Sequence, residues 1–179
     1  GGHNTTCEAL AQGVPLVIAP IKDRVIISTG QDWNLARIHH EDPSLALGFD
    51  PGHYIDHAIE GSTMFLPRRI GAYGYRDEHP LAIGKTEDLL DYLDVRWAML
   101  LQQAPWASEF FLSYVMILQM LHDGFDVVAW LHERDIAVTA WTPDYQGTGS
   151  MDAFEKLLAA GVDRITTNTI PAWEAALVS

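Results

Sequence analysis

Two histidines in the middle of the chain have the spacing that a metal site on a helix would need. His53 and His57 are four residues apart, and Asp56 lies between them. On a helix these positions share a face, so both imidazoles could ligate a metal ion, with Asp56 as a third ligand or as a hydrogen-bond partner of a histidine. No Glu lies between them in the zinc-protease pattern. The alternative is a polar loop with solvated histidines.

The first residues have the pattern of an anion-binding helix start. A Gly-Gly turn precedes Asn4 and Thr5, which open a helix predicted over residues 4–12. Backbone N–H groups at a helix N-terminus point towards a ligand, and the helix dipole favours negative charge there. This turn therefore has the chemistry to hold a diphosphate.

Composition excludes several classes of protein. The 179 residues include 11 Lys and Arg against 24 Asp and Glu, which gives a formal net charge of −13. This balance argues against nucleic-acid binding and against an anionic membrane surface, since both require a basic face. The single cysteine, Cys7, excludes a disulfide framework and fits a reducing compartment, so a cytoplasmic location is expected. No apolar run is long enough to predict a membrane span.

Helices and strands alternate over most of the chain. After Asp126 the links between them are short, which is typical of βα units with a parallel sheet. Residues 50–85 form an unusually long irregular connection. The first two predicted strands are too close in sequence to be parallel neighbours, so they pair antiparallel or belong to different sheets. The predicted strands are 14–19, 25–28, 45–49, 110–112, 136–141 and 164–167, and the predicted helices are 4–12, 32–41, 86–103 (capped by Thr86), 115–123, 126–135, 151–160 and 171–178.

Three stretches resemble the C-terminal half of glycerophosphodiester phosphodiesterases. They are RVIISTGQDWNLARIHHEDPSLALGFDP, WLHERDIAVTAWTPD and AFEKLLAAGVDRITTNTIPAWEAAL. The order and spacing match the family over residues 24–179, and residues 50–125 fit only loosely, as an insertion. The resemblance implies an α/β fold that is roughly the C-terminal half of a TIM-type (βα) barrel, preceded by a short N-terminal helix and strand.

The same resemblance implies a substrate and candidate contacts for it. The family hydrolyses glycerophosphodiesters, which belong to lipid metabolism, to glycerol 3-phosphate and an alcohol, using a divalent metal ion (Mg or Ca) and a pair of histidines. Ser28, Trp141 and Thr167 would lie at the carboxyl ends of strands and contact this small phosphodiester. The chain departs from the family at Thr29, where Phe is usual, and at Asn168, where Asp is usual.

Most of the family's catalytic motifs are absent from this sequence. A His-Arg-Gly, a Glu-x-Asp and a His-Asp motif, which supply the acid–base histidines and the metal ligands, cannot be placed. Pro20-Ile21-Lys22 stands where a Glu-x-Lys strand aligns, and a proline cannot bind metal. By the same resemblance, Lys22 is expected to be a phosphate contact. The chain is therefore expected to lack a complete metal site and to be inactive.

Residues 1–23 resemble a different family. The stretch GGHNTTCEALAQGVPLVIAPIKD is similar to the donor-binding segment of UDP-sugar glycosyltransferases. That resemblance implies phosphate contacts for Asn4 and Thr5 and a ribose contact for Glu8. Two units, 1–23 and 24–179, are therefore predicted, and the alternative functions are a glycosyltransferase fragment or a non-catalytic remnant of a chimeric reading frame. A half barrel leaves strand edges unpaired, which predicts one of three outcomes: a homodimer that covers the open edge, capping of the open side by the extra helices, or poor solubility.

Overall fold

The computed structural model describes residues 19–54 and 88–178. A 3-10 turn over Ala19–Arg24 leads into the first strand, and a second over Pro51–His53 follows the second strand. The strands are β1 (Ile26–Thr29), β2 (Ala46–Phe49), β3 (Ala107–Ser113), β4 (Ala137–Trp141) and β5 (Arg164–Thr166); the helices are α1 (Asp32–Glu41), α2 (Leu89–Gln103), α3 (Tyr114–His122), α4 (Val127–His132), α5 (Thr148–Ala159) and α6 (Ile170–Val178).

The five strands form one parallel sheet in sequence order, β1-β2-β3-β4-β5, which curls into a half barrel flanked by helices. Parallel neighbours require a crossover connection, and helices provide it here. The register pairs Ser28 with Gly48 and Trp141 with Thr166. The predicted partial TIM-type barrel is confirmed.

The main core lies between the sheet and its helices. Phe49 and Phe110, from neighbouring strands, meet edge to face with ring centroids 5.5 Å apart. The Trp97 ring of α2 lies 6.2 Å from that of Phe110 and is fully buried. These contacts show that alternate residues of the strands face the helices, so the intervening residues face the concave side of the half barrel.

A carboxylate joins β4, β5 and α4 at the amino ends of the strands. Asp163 Oδ2 accepts a hydrogen bond from the Val138 backbone N–H (2.7 Å) and lies 2.9 Å from His132 Nε2. Burial by itself would raise the pKa of the Asp163 carboxyl, but the Val138 and His132 hydrogen bonds and the nearby positive charges, Arg164 included, outweigh it and lower the pKa.

Several predicted elements differ from the structure at their ends. Helix α2 starts at Leu89, and its cap is Asp88, whose carboxylate accepts from the Leu90 N–H at 2.8 Å. The predicted cap, Thr86, lies outside the described residues, as do the helix over 4–12 and all but the last residue of the strand over 14–19. That last residue, Ala19, starts a 3-10 turn. Within the described ranges, no helix is long and apolar enough to cross a membrane.

Candidate functional site

All five strands end at the same side of the sheet, and this side, with the loops that follow, is called the carboxyl edge. In βα barrels the residues that contact substrate come from this edge. Here the strands end in polar or aromatic residues, and three of these residues are hydroxyl-bearing. The last residues of the strands are Thr29, Phe49, Ser113, Trp141 and Thr166.

At the carboxyl end of β1, the side chains are held in place by hydrogen bonds to one another. The Thr29 hydroxyl donates to Gln31 Oε1 at 3.1 Å, and Asn34 Nδ2 donates to the same oxygen at 3.2 Å. Asn34 Oδ1 is buried and has no hydrogen-bond partner among the described residues. Ser28 is exposed, so its hydroxyl is accessible to a ligand.

Trp141 lies across the carboxyl edge towards the turn after β2. Asp50 caps that turn by accepting from the Gly52 N–H at 2.9 Å. A Cβ at Gly52 would lie 3.9 Å from Trp141 Cζ2, so the indole lies directly against the turn. Its Nε1–H is buried and finds no acceptor within residues 19–54 and 88–178. A buried donor without an acceptor is costly, so a ligand oxygen bound here would relieve that cost.

The loops after β4 and β5 are held together by the Asp144 carboxylate. It accepts from the Asn168 backbone N–H (2.8 Å), from Asn168 Nδ2 (3.1 Å) and from the Thr167 hydroxyl (2.9 Å). The Asn168 backbone hydrogen bond, then its side-chain one, with a smaller part from Thr167, lowers the pKa of Asp144 against the opposing effect of burial. An aspartate at 168 would place a second carboxylate against Asp144, so the departure from the family pattern has a structural role.

The structure separates the predicted site residues into groups. Trp141 and Thr167 lie on neighbouring elements, whereas Ser28 lies on β1, at the other end of the same sheet. Lys22 precedes β1 and donates to the Ser44 hydroxyl at 2.6 Å, before β2 begins. It therefore lies at the opposite side of the sheet from the carboxyl edge, and its phosphate contact stays a prediction.

Other predicted residues fall outside what the structure describes. Asn4, Thr5 and Glu8 of the nucleotide-sugar hypothesis are among them, as are Asp56 and His57. His53 closes the 3-10 turn after β2. The helical i, i+4 arrangement of the two histidines therefore stays a prediction.

A polar cluster on the concave face was not predicted from the sequence. The Glu109 carboxylate of β3 accepts from the Thr139 hydroxyl of β4 and from the Arg164 guanidinium of β5. Glu109 and Thr139 are each only 1% exposed. The available signal was a charged residue beside the apolar Phe110-Phe111-Leu112 run, but the strand was predicted to start one residue too late to include it.

The described residues do not fit the divalent metal ion that the family resemblance implies. Within residues 19–54 and 88–178, no three His, Cys, Asp or Glu side chains are close enough to hold a metal ion. Three carboxylates at the carboxyl edge, those of Asp32, Asp50 and Asp144, already accept hydrogen bonds from side-chain or backbone donors. No catalytic step through a metal is therefore derived from these residues.

The fold is a half βα barrel with a polar carboxyl edge. No family model and no curated protein matches the sequence. Two crystal structures share the fold. One, from Silicibacter pomeroyi DSS-3, is assigned as a glycerophosphoryl diester phosphodiesterase; it has a TM-score of 0.55 and 14% identity over 98% of this chain and 46% of that chain.

The second structure, from Galdieria sulphuraria, is assigned as a glycerophosphodiester phosphodiesterase. Its TM-score is 0.52, with 15% identity over 96% of this chain and 51% of that chain. The chain thus spans about half the length of the structures it matches. Identities this low show a common fold, and this fold agrees with the family that residues 24–179 resemble. The resemblance of residues 1–23 to glycosyltransferases stays a prediction.

Proposed function

We propose that this chain is the substrate-contacting half of a glycerophosphodiester phosphodiesterase-like barrel and does not hydrolyse the substrate by itself. The observation that carries the proposal is the half barrel shared with two structures assigned to that activity, over nearly the whole chain. In the proposal, the polar carboxyl edge binds the phosphodiester. Ser28 contributes an accessible hydroxyl, and Trp141 contributes an indole N–H that has no acceptor in the described part of the chain. Each of these groups can donate a hydrogen bond to a phosphoryl or glycerol oxygen.

Thr167 acts indirectly in this proposal. Its hydroxyl already donates to Asp144 and lies 3.2 Å from the Thr169 hydroxyl. Thr167 therefore fixes the shape of the loops beside Trp141, and its contribution to binding comes through that shape.

The absence of turnover is proposed from the sequence. The family's acid–base histidines and most metal ligands belong to motifs that this chain lacks, and positioned charges of this kind usually supply the largest part of catalysis. The Mg or Ca ion of the intact family would then require ligands from residues beyond those described. A role in lipid metabolism and a cytoplasmic location belong to the same proposal.

Release of glycerol 3-phosphate from glycerophosphocholine tests the proposal. The folded chain is expected to show no turnover with Mg²⁺, with Ca²⁺ or with a chelator, yet to bind glycerol 3-phosphate by calorimetry. Trp141→Phe removes the indole N–H while keeping the ring bulk and is expected to weaken that binding, whereas Trp33→Phe, on the outer surface of α1, is the matched control. Chelator-sensitive turnover would show that a complete catalytic site exists, and binding of UDP-glucose alone would favour the glycosyltransferase alternative.

A further inference from the structure

Two neighbouring loops of the carboxyl edge are joined by more hydrogen bonds than the proposed function uses. The β4 loop (residues 142–147) follows Trp141, and the β5 loop (residues 167–169) leads into α6. The Asp144 backbone N–H donates to the Thr142 carbonyl at 3.0 Å, so only one tight turn separates Asp144 from Trp141. Contacts that fix Asp144 therefore also fix the backbone just after the Trp141 indole.

Among the described residues, the Asp144 carboxylate accepts three hydrogen bonds, and all three come from the β5 loop. Its Oδ1 accepts from the Asn168 backbone N–H at 2.8 Å and from the Thr167 hydroxyl at 2.9 Å. Its Oδ2 accepts from Asn168 Nδ2 at 3.1 Å. The Asn168 backbone N–H, then the Asn168 amide and the Thr167 hydroxyl, outweigh burial and lower the pKa of Asp144. The carboxylate is therefore charged at neutral pH and faces a side-chain amide.

The β5 loop and α6 also hold the backbone beside Asp144. The Tyr145 backbone N–H donates to the Thr169 hydroxyl at 2.8 Å, and the buried Trp173 indole donates to the Pro143 carbonyl at 2.9 Å. Three consecutive residues of the β4 loop are thus attached to the β5 loop or to α6. The path of the β4 loop is therefore set by these two elements.

We propose that Asn168 is a positioning residue for the Trp141 indole and acts through Asp144. The role rests on the proposed function, in which this indole contacts the ligand. An aspartate at position 168 would put a carboxylate oxygen where Asn168 Nδ2 now lies, 3.1 Å from Asp144 Oδ2. Two carboxylates this close repel each other. The two loops would then separate at this contact, and the backbone after Trp141 would lose its support.

The geometry also predicts that the two side chains can be exchanged. In the double variant Asp144→Asn with Asn168→Asp, the amide oxygen of residue 144 takes the place of Oδ1. It still accepts from the backbone N–H of residue 168 and from the Thr167 hydroxyl. The amide nitrogen takes the place of Oδ2 and donates to the new carboxylate at residue 168. All three hydrogen bonds are kept, so the pair requires one carboxylate and one amide, on either loop.

Calorimetric titration with glycerol 3-phosphate at neutral pH tests the role. Asn168→Asp is expected to bind about tenfold or more weakly than the parent, and the double variant within about twofold of the parent. Gln146→Glu, which adds the same charge at an exposed position of the β4 loop, is the matched control and is expected to bind like the parent. Circular dichroism checks that each protein is folded during the titration. A purely structural role would change the melting temperature and leave the affinity of the folded protein unchanged.

The other outcomes overturn the positioning role. A folded Asn168→Asp that binds as tightly as the parent would do so while leaving the proposed function in place. A double variant that binds no better than Asn168→Asp would show that the pair is not exchangeable. An equal loss in Gln146→Glu would show that added charge alone repels the anionic ligand. A parent protein that does not bind would overturn the proposed function itself, and the positioning role with it.

A second pair of variants serves if Asn168→Asp does not fold. Asn168→Ala removes the side-chain amide without adding charge and is expected to bind about threefold more weakly than the parent, as for the loss of one hydrogen bond. Gln146→Ala is its control and is expected to bind like the parent. Equal binding by Asn168→Ala and the parent would overturn the positioning role.

Discussion

Replacing Arg164 by methionine tests how much the ion pair of a buried carboxylate on the concave face contributes to the stability of the protein. The Glu109 side chain is 2% exposed and its partner Arg164 is 57% exposed. In Arg164→Met the carboxylate keeps, among the residues that the structure describes, only the Thr139 hydroxyl as a donor. The substitution thus leaves a negative charge in a buried position without its counter-ion.

The size of the effect follows from this uneven burial. Removing one partner of a fully buried pair costs about 3–5 kcal/mol of unfolding free energy. Because the Arg164 side of this pair is open to solvent, water partly replaces the guanidinium, and we expect about 2–3 kcal/mol. For a domain of this size, that loss corresponds to a fall in Tm of roughly 4–12 °C.

Urea unfolding followed by circular dichroism measures the loss. Lys156→Met is the matched control, because it removes the same charge from an exposed pair, Lys156–Asp152, with 2.6 Å between Nζ and Oδ2. An exposed pair of this kind contributes less than about 0.5 kcal/mol. The control is therefore expected to unfold almost as the parent does.

A second substitution separates buried charge from lost packing. Glu109→Gln in the Arg164→Met background removes the buried charge and keeps an amide oxygen for the Thr139 hydroxyl. We expect it to recover at least half of the lost stability. The reasoning is refuted if Arg164→Met matches the Lys156→Met control, or if the double variant is no more stable than Arg164→Met alone.

Three further predictions concern stability, each measured by urea unfolding. Gly48→Ala is expected to cost about 1–3 kcal/mol, because the added Cβ would lie only 2.9 Å from Phe111 Cδ2; a loss within error would contradict the close packing. Asp126→Ala is expected to cost about 1 kcal/mol, because its carboxylate caps α4 by accepting from the Ala129 N–H at 2.9 Å; restoration by Asn at 126 is the check. Because the pKa of Asp163 is lowered in the folded protein, its contribution to stability is present above its unfolded pKa, about 3.9, and is lost as pH falls through the lowered value. Asp163→Asn is therefore expected to lower the unfolding free energy at neutral pH and to make it less dependent on pH in the acid range. An unchanged pH dependence of the unfolding free energy would refute the assignment.

The helices and strands could be predicted largely from local pattern. Helix α1 was predicted with the bounds Asp32–Glu41 that the structure has, because Leu35 and Ile38 lie on one face and no helix breaker interrupts it. Element ends were less certain, as at β3, which begins at Ala107, three residues before the predicted start. There the polar Ser108 and Glu109 hide the start of the strand.

The arrangement of the site could not be predicted in the same way. Glu109 and Arg164 are 55 residues apart in sequence, and only the sheet register brings them together. The position of Lys22 depends on which end of β1 it adjoins. Spacing along the chain carries no information on such contacts, because they are decided by the order of strands and the curl of the sheet.

The absence of a side chain at Gly48 has a consequence for any chain that would complete this barrel. The Phe111 ring occupies the space that a Cβ there would fill, on the concave face, with Ser28 Cβ only 3.1 Å from the same point. The interior of a βα barrel has a limited volume, which inward side chains share in layers. The Phe111 ring already fills part of that volume. The strands that complete the barrel must therefore have small inward-facing residues at the level of Gly48. Such steric complementarity would restrict which chains can complete the barrel.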